Sequence, residues 1–496
     1  VTPRFSIPTD DAVGPFVVGL DVGSGGSRAA VYDASGREVG TRHHKVEHAF
    51  TTAADGTSTI DADQIVEELC VAMEAVLDGS LPGPVVGIGF DTFASSLIAV
   101  DGSGTALTPC ITYADTRCRD QVTALREELD TTALHDRTGS RLHSSYNAPR
   151  LRWLREEHPD VFSRASAFMA LGEYVALKLL GEGVLGTASA AWGGMIDRRT
   201  GQYVPELLEA TGVSADRLGD PRDPSQGQPV AGTPLAARIP ALADATWIPV
   251  VGDGLTANLG IGAVGPGTWG ISTATSGAIR QLLDTETGTL PGGLWAYRVD
   301  ARRTLVGSAM SDAGRVLDFA RTRLAIPEDV SQIDTKTLLG AAPQAGTPLV
   351  VPFLSGERGT KWRDSARAIF ANVSASTTAE DLLRGSFEGL ALSYLRIADQ
   401  LREVGGAPQR IVLSGGMTEN APAWLHLLAD ALQTPIDHVA ISRSTMRGAA
   451  LLALEQTVPD ADRATIPVRS TIEPVAAHAD YYRERLERFE ILADVA

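Results

Sequence analysis

The sequence predicts an α/β fold built from two related halves, and three observations lead there. Strand-like and helix-like segments alternate along the chain. Two glycine-rich hairpins stand about half the chain apart. A third small-residue turn, Gly415-Gly416, follows a strand-like run and precedes a helix-like one.

The first hairpin lies in Val17 to Asp33, VVGLDVGSGGSRAAVYD. Phe16 to Leu20 and Arg28 to Asp33 read as strands, and the tip between them is almost bare backbone. Without Cβ atoms, successive N–H groups can close on an anion as a phosphate nest. Asp21 beside such a nest makes sense when a cation stands between carboxylate and phosphate. The second hairpin, Gly270 to Arg280 (GISTATSGAIR), repeats the pattern of small and hydroxylic residues, a glycine and an apolar continuation.

Asp61 to Leu77 reads as a helix with Asp61 as N-cap and Ile65, Leu69, Ala72, Met73 and Val76 as its apolar stripe. Val85 to Phe90 and Leu97 to Val100 read as buried strands. Tyr146 to Glu157 and Ala167 to Leu180 read as helices, and residues 214 to 234 as a surface excursion. Ile248 to Val251 reads as a strand ending at Gly252-Asp253-Gly254. Ala379 to Val404 carries the strongest helical pattern, with Leu383, Phe387, Leu390, Tyr394, Ile397 and Leu401 on one face. Pro422 to Gln433 reads as a helix with proline in its first turn.

At 496 residues the chain has room for two or three domains sharing a cleft. A net charge of −18 argues against nucleic acid or an anionic membrane as partner. Three cysteines, Cys70, Cys110 and Cys118, without metal-type spacing, read as free thiols of a reducing cytoplasm. No uncharged apolar stretch is long enough to span a bilayer, and no signal-like N-terminus is read. His43, His44 and His48 read as an exposed loop, and Arg141, Arg150, Arg152 and Arg155 as a solvated helix face.

The ordered set DVGSGGSRAAVYD, TFASSLIAVD (Thr92 to Asp101), TYADTR (Thr112 to Arg117), TGSRLHSSYNAPRLRWL (Thr138 to Leu154), GDG (Gly252 to Gly254), TSG (Thr275 to Gly277), RGSFEGLAL (Arg384 to Leu392), SGGMTEN (Ser414 to Asn420) and RGAALLAL (Arg447 to Leu454) resembles the FGGY carbohydrate kinases of the actin/Hsp70/sugar-kinase superfamily. The resemblance spans residues 16 to 456. It implies two actin-like (ribonuclease H-like) domains, each a mixed β-sheet flanked by helices, closing over ATP and a sugar. The expected layout is a lead-in over 1–15, an N-terminal domain over 16–258, a C-terminal domain over 259–464 and a tail over 465–496 that packs back as strand and helix.

The same resemblance implies the site. Asp253 would act as the base that takes the acceptor's proton, although Gly-Asp-Gly alone is also an ordinary turn. Asp21 would hold Mg²⁺, directly or through water. Ser24, Gly25, Gly26 and Arg28 from the first hairpin, Thr275 and Ser276 from the second, and Gly314, Gly416 and Asn420 would bind ATP. Thr92, Phe93, Ser95, Tyr113, Asp115 and Arg117, with Asp253, would bind the sugar, and His143, Ser145 and Tyr146 are further contacts. Asp115 and Arg117 also read as a structural ion pair. Gly25-Gly26, Ala274, Tyr113, Ser95 and Arg150 depart from the residues usual in the family, and Ser95 stands where relatives often carry histidine.

The implied activity is Mg²⁺- and ATP-dependent phosphorylation of a sugar, sugar acid or polyol. The motif texture resembles the gluconate kinase-like branch, with a xylulokinase-like or other ketose or polyol kinase as the alternative. A non-catalytic sugar-binding regulator is the reading outside the class. Family members are often dimers, which implies a homodimer by analogy.

Overall fold

The computed structural model describes residues 5–285, 287–324, 338 and 342–496, apart from the side chain of Asn420. By contact the chain divides into two units. The first comprises Val1–Gly260, Ala296–Leu305 and Ile441–Thr465, and the second Ile261–Trp295, Val306–Ala440 and Ile466–Ala496.

The first unit is built on an eight-stranded mixed sheet. Its strands are β1 (Ser6–Ile7), β2 (Phe16–Gly23), β3 (Gly26–Tyr32), β4 (Glu38–Val46), β5 (Val85–Thr92), β6 (Gln228–Pro229), β7 (Thr246–Trp247) and β8 (Val251–Gly252). They lie in the order β1-β4-β3-β2-β5-β7-β6, with β8 pairing the end of β5. β2 runs antiparallel to β3 and parallel to β5. Its first seven residues are all buried, as expected of a central strand covered on both faces. The lead-in is not loose throughout, because Ser6–Ile7 adds to the sheet edge beside Glu38 and Val39.

The helix Ala62–Leu77 starts where Asp61 accepts hydrogen bonds from the N–H groups of Asp63 and Gln64. It buries Ile65, Leu69, Met73 and Val76. The helix expected over 167–180 is shorter. Ala167–Met169 pairs antiparallel with Ile98–Val100, and the helix runs over Leu171–Leu180.

The helix Ser444–Thr457 belongs to the first unit rather than to a continuous segment 259–464. Glycines in the sheet explain its closeness. A Cβ on Gly19 would lie 2.4 Å from the Met446 carbonyl oxygen, and one on Gly89 1.8 Å from that of Ala449. Only residues without a side chain let the helix backbone settle there.

In the second unit β9 (Thr268–Thr273), β10 (Gly277–Leu283), β11 (Thr304–Met310), β12 (Arg410–Ser414), β13 (Ile436–Val439) and β14 (Val468–Ile472) lie in the order β11-β10-β9-β12-β13-β14. β9 is antiparallel to β10 and parallel to β12, so this sheet is mixed as well. The long helix Ala379–Gly405 buries Leu383, Phe387, Leu390, Tyr394, Ile397 and Leu401, and Thr378 with Asp381 closes a capping box at its start. The helix expected over 422–433 is observed over Trp424–Leu432. The tail supplies β14 and the helix Ala479–Val495. Among the described residues no helix is long and apolar enough to cross a membrane.

Candidate active site

Strand register sets the first unit's polar row. Arg28 on β3 pairs with Asp21 on β2, Asp21 with Asp91 on β5, and Asp91 with Val251 on β8. Residues in register across a sheet point to one face, so Arg28, Asp21 and Asp91 stand side by side. Asp21 is 2% exposed, and its Oδ2 accepts from the Arg28 guanidinium at 2.6 Å and from the Thr445 hydroxyl at 3.0 Å. Arg28 is thereby turned back onto Asp21.

Ser24 and Gly25 form the exposed tip of the β2–β3 hairpin. A Cβ at Gly25 would meet nothing within 4 Å, so the tip is open. Gly26 has φ +150° and leaves no room for a Cβ beside Lys45 and Val46. His48, read from sequence as a loop residue, is instead buried beneath this hairpin. Its Nδ1 lies 2.7 Å from Glu68 Oε2 and its Nε2 2.8 Å from the Gly23 carbonyl, while the Ser27 hydroxyl donates to the same Glu68 oxygen at 2.8 Å.

Asp91 was not singled out by motif. It is completely buried, and neither carboxylate oxygen has a hydrogen-bond partner. The neighbouring Thr256 hydroxyl donates to the Asp253 carbonyl at 3.1 Å. Burial and then the Asp21 charge hold the Asp91 carboxyl well above the usual carboxylate range, and Asp253 pushes the same way. A signal was present in the sequence, since an aspartate closes each of two apolar strands, VVGLD and VVGIGFD.

Asp253 does not sit in a free Gly-Asp-Gly turn. It is the first residue of the helix Asp253–Gly260, directly after β8, and is partly exposed. The helix N-terminus favours a carboxylate there. Gly252 lies close under Trp192: a Cβ would stand 3.1 Å from its ring, and the indole would have to give by a few tenths of an ångström. Trp192 stacks on Tyr297 with centroids 4.2 Å apart, and the Tyr146 and Tyr297 hydroxyls are 2.6 Å apart. No motif marked Trp192 or Tyr297.

The expected sugar-binding residues are more committed to the protein than the sequence suggests. Thr92 and Phe93 are buried, and Phe93 packs against Phe50 and Tyr113. Ser95 is 9% exposed with φ +61°, and its hydroxyl donates to the Trp192 carbonyl at 2.5 Å. Asp115 accepts from the Ser58 N–H and from Arg117, and Arg117 also lies over the Trp153 ring at 4.5 Å. The ion-pair reading of Asp115 and Arg117 therefore holds in this conformation. Ser145 donates to the Tyr113 carbonyl and lies 3.1 Å from His143 Nδ1. Arg150 is no surface residue. Its guanidinium is buried and donates to the carbonyls of Ser144, Ser95 and Thr112, and burial pulls its pKa down to about 10.

In the second unit the β9–β10 hairpin exposes Ala274, Thr275 and Ser276 at its tip. The Gly314 N–H donates to the Ala274 carbonyl, and a Cβ on Gly314 would lie 2.6 Å from that oxygen. Gly415, with φ +140°, presses on Thr273 more closely still, its Cβ position 1.9 Å from the Thr273 carbonyl oxygen. These contacts gather Thr275, Gly314 and Gly416 around a cavity of about 270 Å³, also lined by Leu317, Asp318, Arg321 and Met417. Ser276 does not line it, and the side chain of Asn420 lies outside the described residues.

The sequence matches the model of the FGGY family of carbohydrate kinases, N-terminal domain, over residues 16–260, and that of the C-terminal domain over 267–456. It is 24% identical over 492 residues to the gluconokinase of Bacillus subtilis strain 168, covering 96% of this chain and 94% of that one. It is 23% identical to the xylulose kinase of Staphylococcus xylosus, covering 97% and 100%. Among solved structures, gluconate kinase from Lactobacillus acidophilus superposes with a TM-score of 0.89 at 21% identity, covering 97% of this chain and 98% of that one. Xylulose kinase from Rhodospirillum rubrum also gives 0.89, at 23% identity, covering 97% and 99%. These structural likenesses show the fold, the two-domain actin-like α/β architecture. With family models spanning both halves, the chain belongs to the FGGY family of carbohydrate kinases.

Proposed function

We propose that this carbohydrate kinase phosphorylates a hydroxyl of an extended sugar acid, ketose or polyol, with gluconate as the first candidate and Asp253 as the base. The kinase class follows from the family, whose members use ATP as phosphate donor. The observation that carries the chemistry is the in-register row Arg28–Asp21–Asp91, with Asp253 opening a helix two residues beyond Val251 in the same row. Asp253 takes the proton from the attacking hydroxyl. The exposed tip at Ser24 and Gly25 holds phosphate oxygens in the first unit, and in the second the cavity at Thr275, Gly314 and Gly416 takes the adenosine.

Carboxylate oxygens suit Mg²⁺, a hard cation, and Asp21 beside the hairpin is the residue to hold it. The bound cation supplies neutralisation of phosphate charge. Among the described residues no group of three or more His, Cys, Asp or Glu could hold a metal, so phosphate and water oxygens must complete the shell.

Gluconate is supported by the gluconokinase relatives at 24% identity over 96% and 89% of this chain. A second reading, a neutral ketose such as xylulose, is favoured by Arg117 and Arg150. An anionic acceptor needs a free cation, and Arg117, expected at the sugar, and the neighbouring Arg150 are both engaged within the protein. A kcat/KM panel of gluconate, xylulose, ribulose, fructose, erythritol, xylitol and glycerol decides between the two. A preference of about tenfold or more for one neutral acceptor, some 1.4 kcal/mol at the transition state, discards gluconate. Absence of sugar-dependent ADP release with any kinase substrate discards the catalytic reading.

A further inference from the structure

We propose that Asp91 is, together with Asp21, a protein oxygen donor to the divalent cation that accompanies ATP, an inference that rests on the kinase reading above. Asp91 is the register neighbour of Asp21 on the adjacent parallel strand, so the two carboxylates share one face of the sheet. It is 0% exposed, and both of its oxygens lack a hydrogen-bond partner. Buried polar groups nearly always have partners, and a wholly unpaired carboxyl needs a reason.

Thr256 and Asp21 lie close enough to bear on the Asp91 carboxyl, yet neither pairs with it in good hydrogen-bond geometry. Arg28 and Thr445 both give their hydrogen bonds to Asp21 Oδ2. Thr256 gives its own to the Asp253 carbonyl. The Arg28 and Thr445 side chains are thus both committed to Asp21 rather than to Asp91. What stands beside Asp91 is a second buried carboxylate in register, Asp21. A divalent cation held by the two carboxylates gives the unpaired Asp91 oxygens a partner. Mg²⁺ typically takes one or two carboxylates and fills its octahedron with phosphate oxygens and water. A two-carboxylate site of this kind is compatible with the absence, among the described residues, of any three-residue metal cluster.

The experiment measures Mn²⁺ binding to the full chain by electron paramagnetic resonance and calorimetry, without sugar, in the presence of saturating ADP. It compares wild type with Asp91→Asn, Asp91→Ser and, as an exposed control, Asp160→Asn. Loss of a metal-holding group is expected to weaken Mn²⁺ by about tenfold or more in both Asp91 variants and to remove the metal-induced rise in Tm. The control binds as wild type does. Asp91→Asn, nearly isosteric and uncharged, is expected to match or exceed the wild-type Tm without metal; Asp91→Ser provides a second folded variant. Mn²⁺ affinity unchanged in either folded Asp91 variant overturns the assignment and leaves Asp91 a structural acid. Failure of wild type itself to bind Mn²⁺–ADP overturns the kinase reading instead, so the two failures are told apart.

Discussion

The Arg150 guanidinium donates to the main-chain carbonyl of Ser95 and, in the same buried fork, to the carbonyls of Thr112 and Ser144. One side chain on the helix Asn147–Glu157 thus ties the TFASS segment to the TYADTR segment. Removing it takes the Arg150 donor from the Ser95 carbonyl and leaves the Thr112 and Ser144 carbonyls with only the Asp115 N–H and the Cys118 thiol. Arg150→Met is expected to cost about 1–3 kcal/mol of unfolding free energy, the range for leaving a buried acceptor such as the Ser95 carbonyl short of its donor. Arg150→Lys, a point charge without the planar fork, should recover only part. Urea unfolding of the three proteins measures this; a loss under about 1 kcal/mol would show the fork to be dispensable.

Asp253→Asn should keep the fold and nucleotide binding while turnover falls by about 10²–10⁴, the usual contribution of a positioned base. The amide fills the same volume at the start of the same helix, so Tm should barely move. Steady-state kcat with the best sugar and ADP affinity by calorimetry test it together. A variant retaining more than about a tenth of wild-type kcat would remove Asp253 from the proton transfer.

The three cysteines should be silent to thiol reagents in the native enzyme. Burial pushes Cys70 up to about 11, Cys110 to about 12 and Cys118 to about 11. The thiolate is the reactive form, so little of it exists at pH 8. Ellman's reagent should report all three only after denaturation, since none is in a disulfide. Fast labelling of the folded protein would contradict the burial.

The hairpins and strands were legible because their patterns are local. Glycine at Gly25 and Gly26 and apolar runs such as VVGLD report on their own backbone. The pairing of Asp91 with Asp21 was not legible, because strand register is a tertiary property that no motif spacing encodes. Likewise His48 is polar and lies beside other histidines, so composition places it at the surface, whereas Glu68 from a distant helix buries it. The Ser444–Thr457 helix was assigned by chain order to the second half; glycines at 19 and 89 bring it to the first. Asp115 and Arg117 carried both an ion-pair and a ligand reading, and the structure shows the ion pair.

His48→Ala should loosen the first hairpin. The substitution leaves the Gly23 carbonyl and Glu68 each short of a partner, at about 1–3 kcal/mol of stability. The tip proposed to hold phosphate would then be less well fixed, so KM for ATP should rise more than KM for the sugar. His48→Gln, which can still reach one of the two partners, should recover part of the ATP effect. Equal changes in both KM values would assign His48 a purely structural role.

Glu173 makes stability depend on pH. Its carboxyl is buried, with the Ala170 N–H at 3.3 Å, and desolvation raises its pKa to about 7. In the unfolded chain the value returns to about 4.3. The folded protein therefore holds the proton more tightly than the unfolded one. Below about pH 4.3 both states are protonated and nothing is lost. As pH rises from there to about 7, the unfolded state ionises freely while the folded state resists, and stability falls by about 3 kcal/mol. Above pH 7 the deficit is constant. Glu173→Gln keeps an acceptor for the Ala170 N–H and carries no charge. It should be more stable than wild type by about that amount at pH 8, and the gap should shrink by more than half at pH 5.5. Urea midpoints at the two pH values measure it. A gap that is absent at pH 8, or that widens toward acid, would mean that Glu173 ionises in the folded protein without penalty.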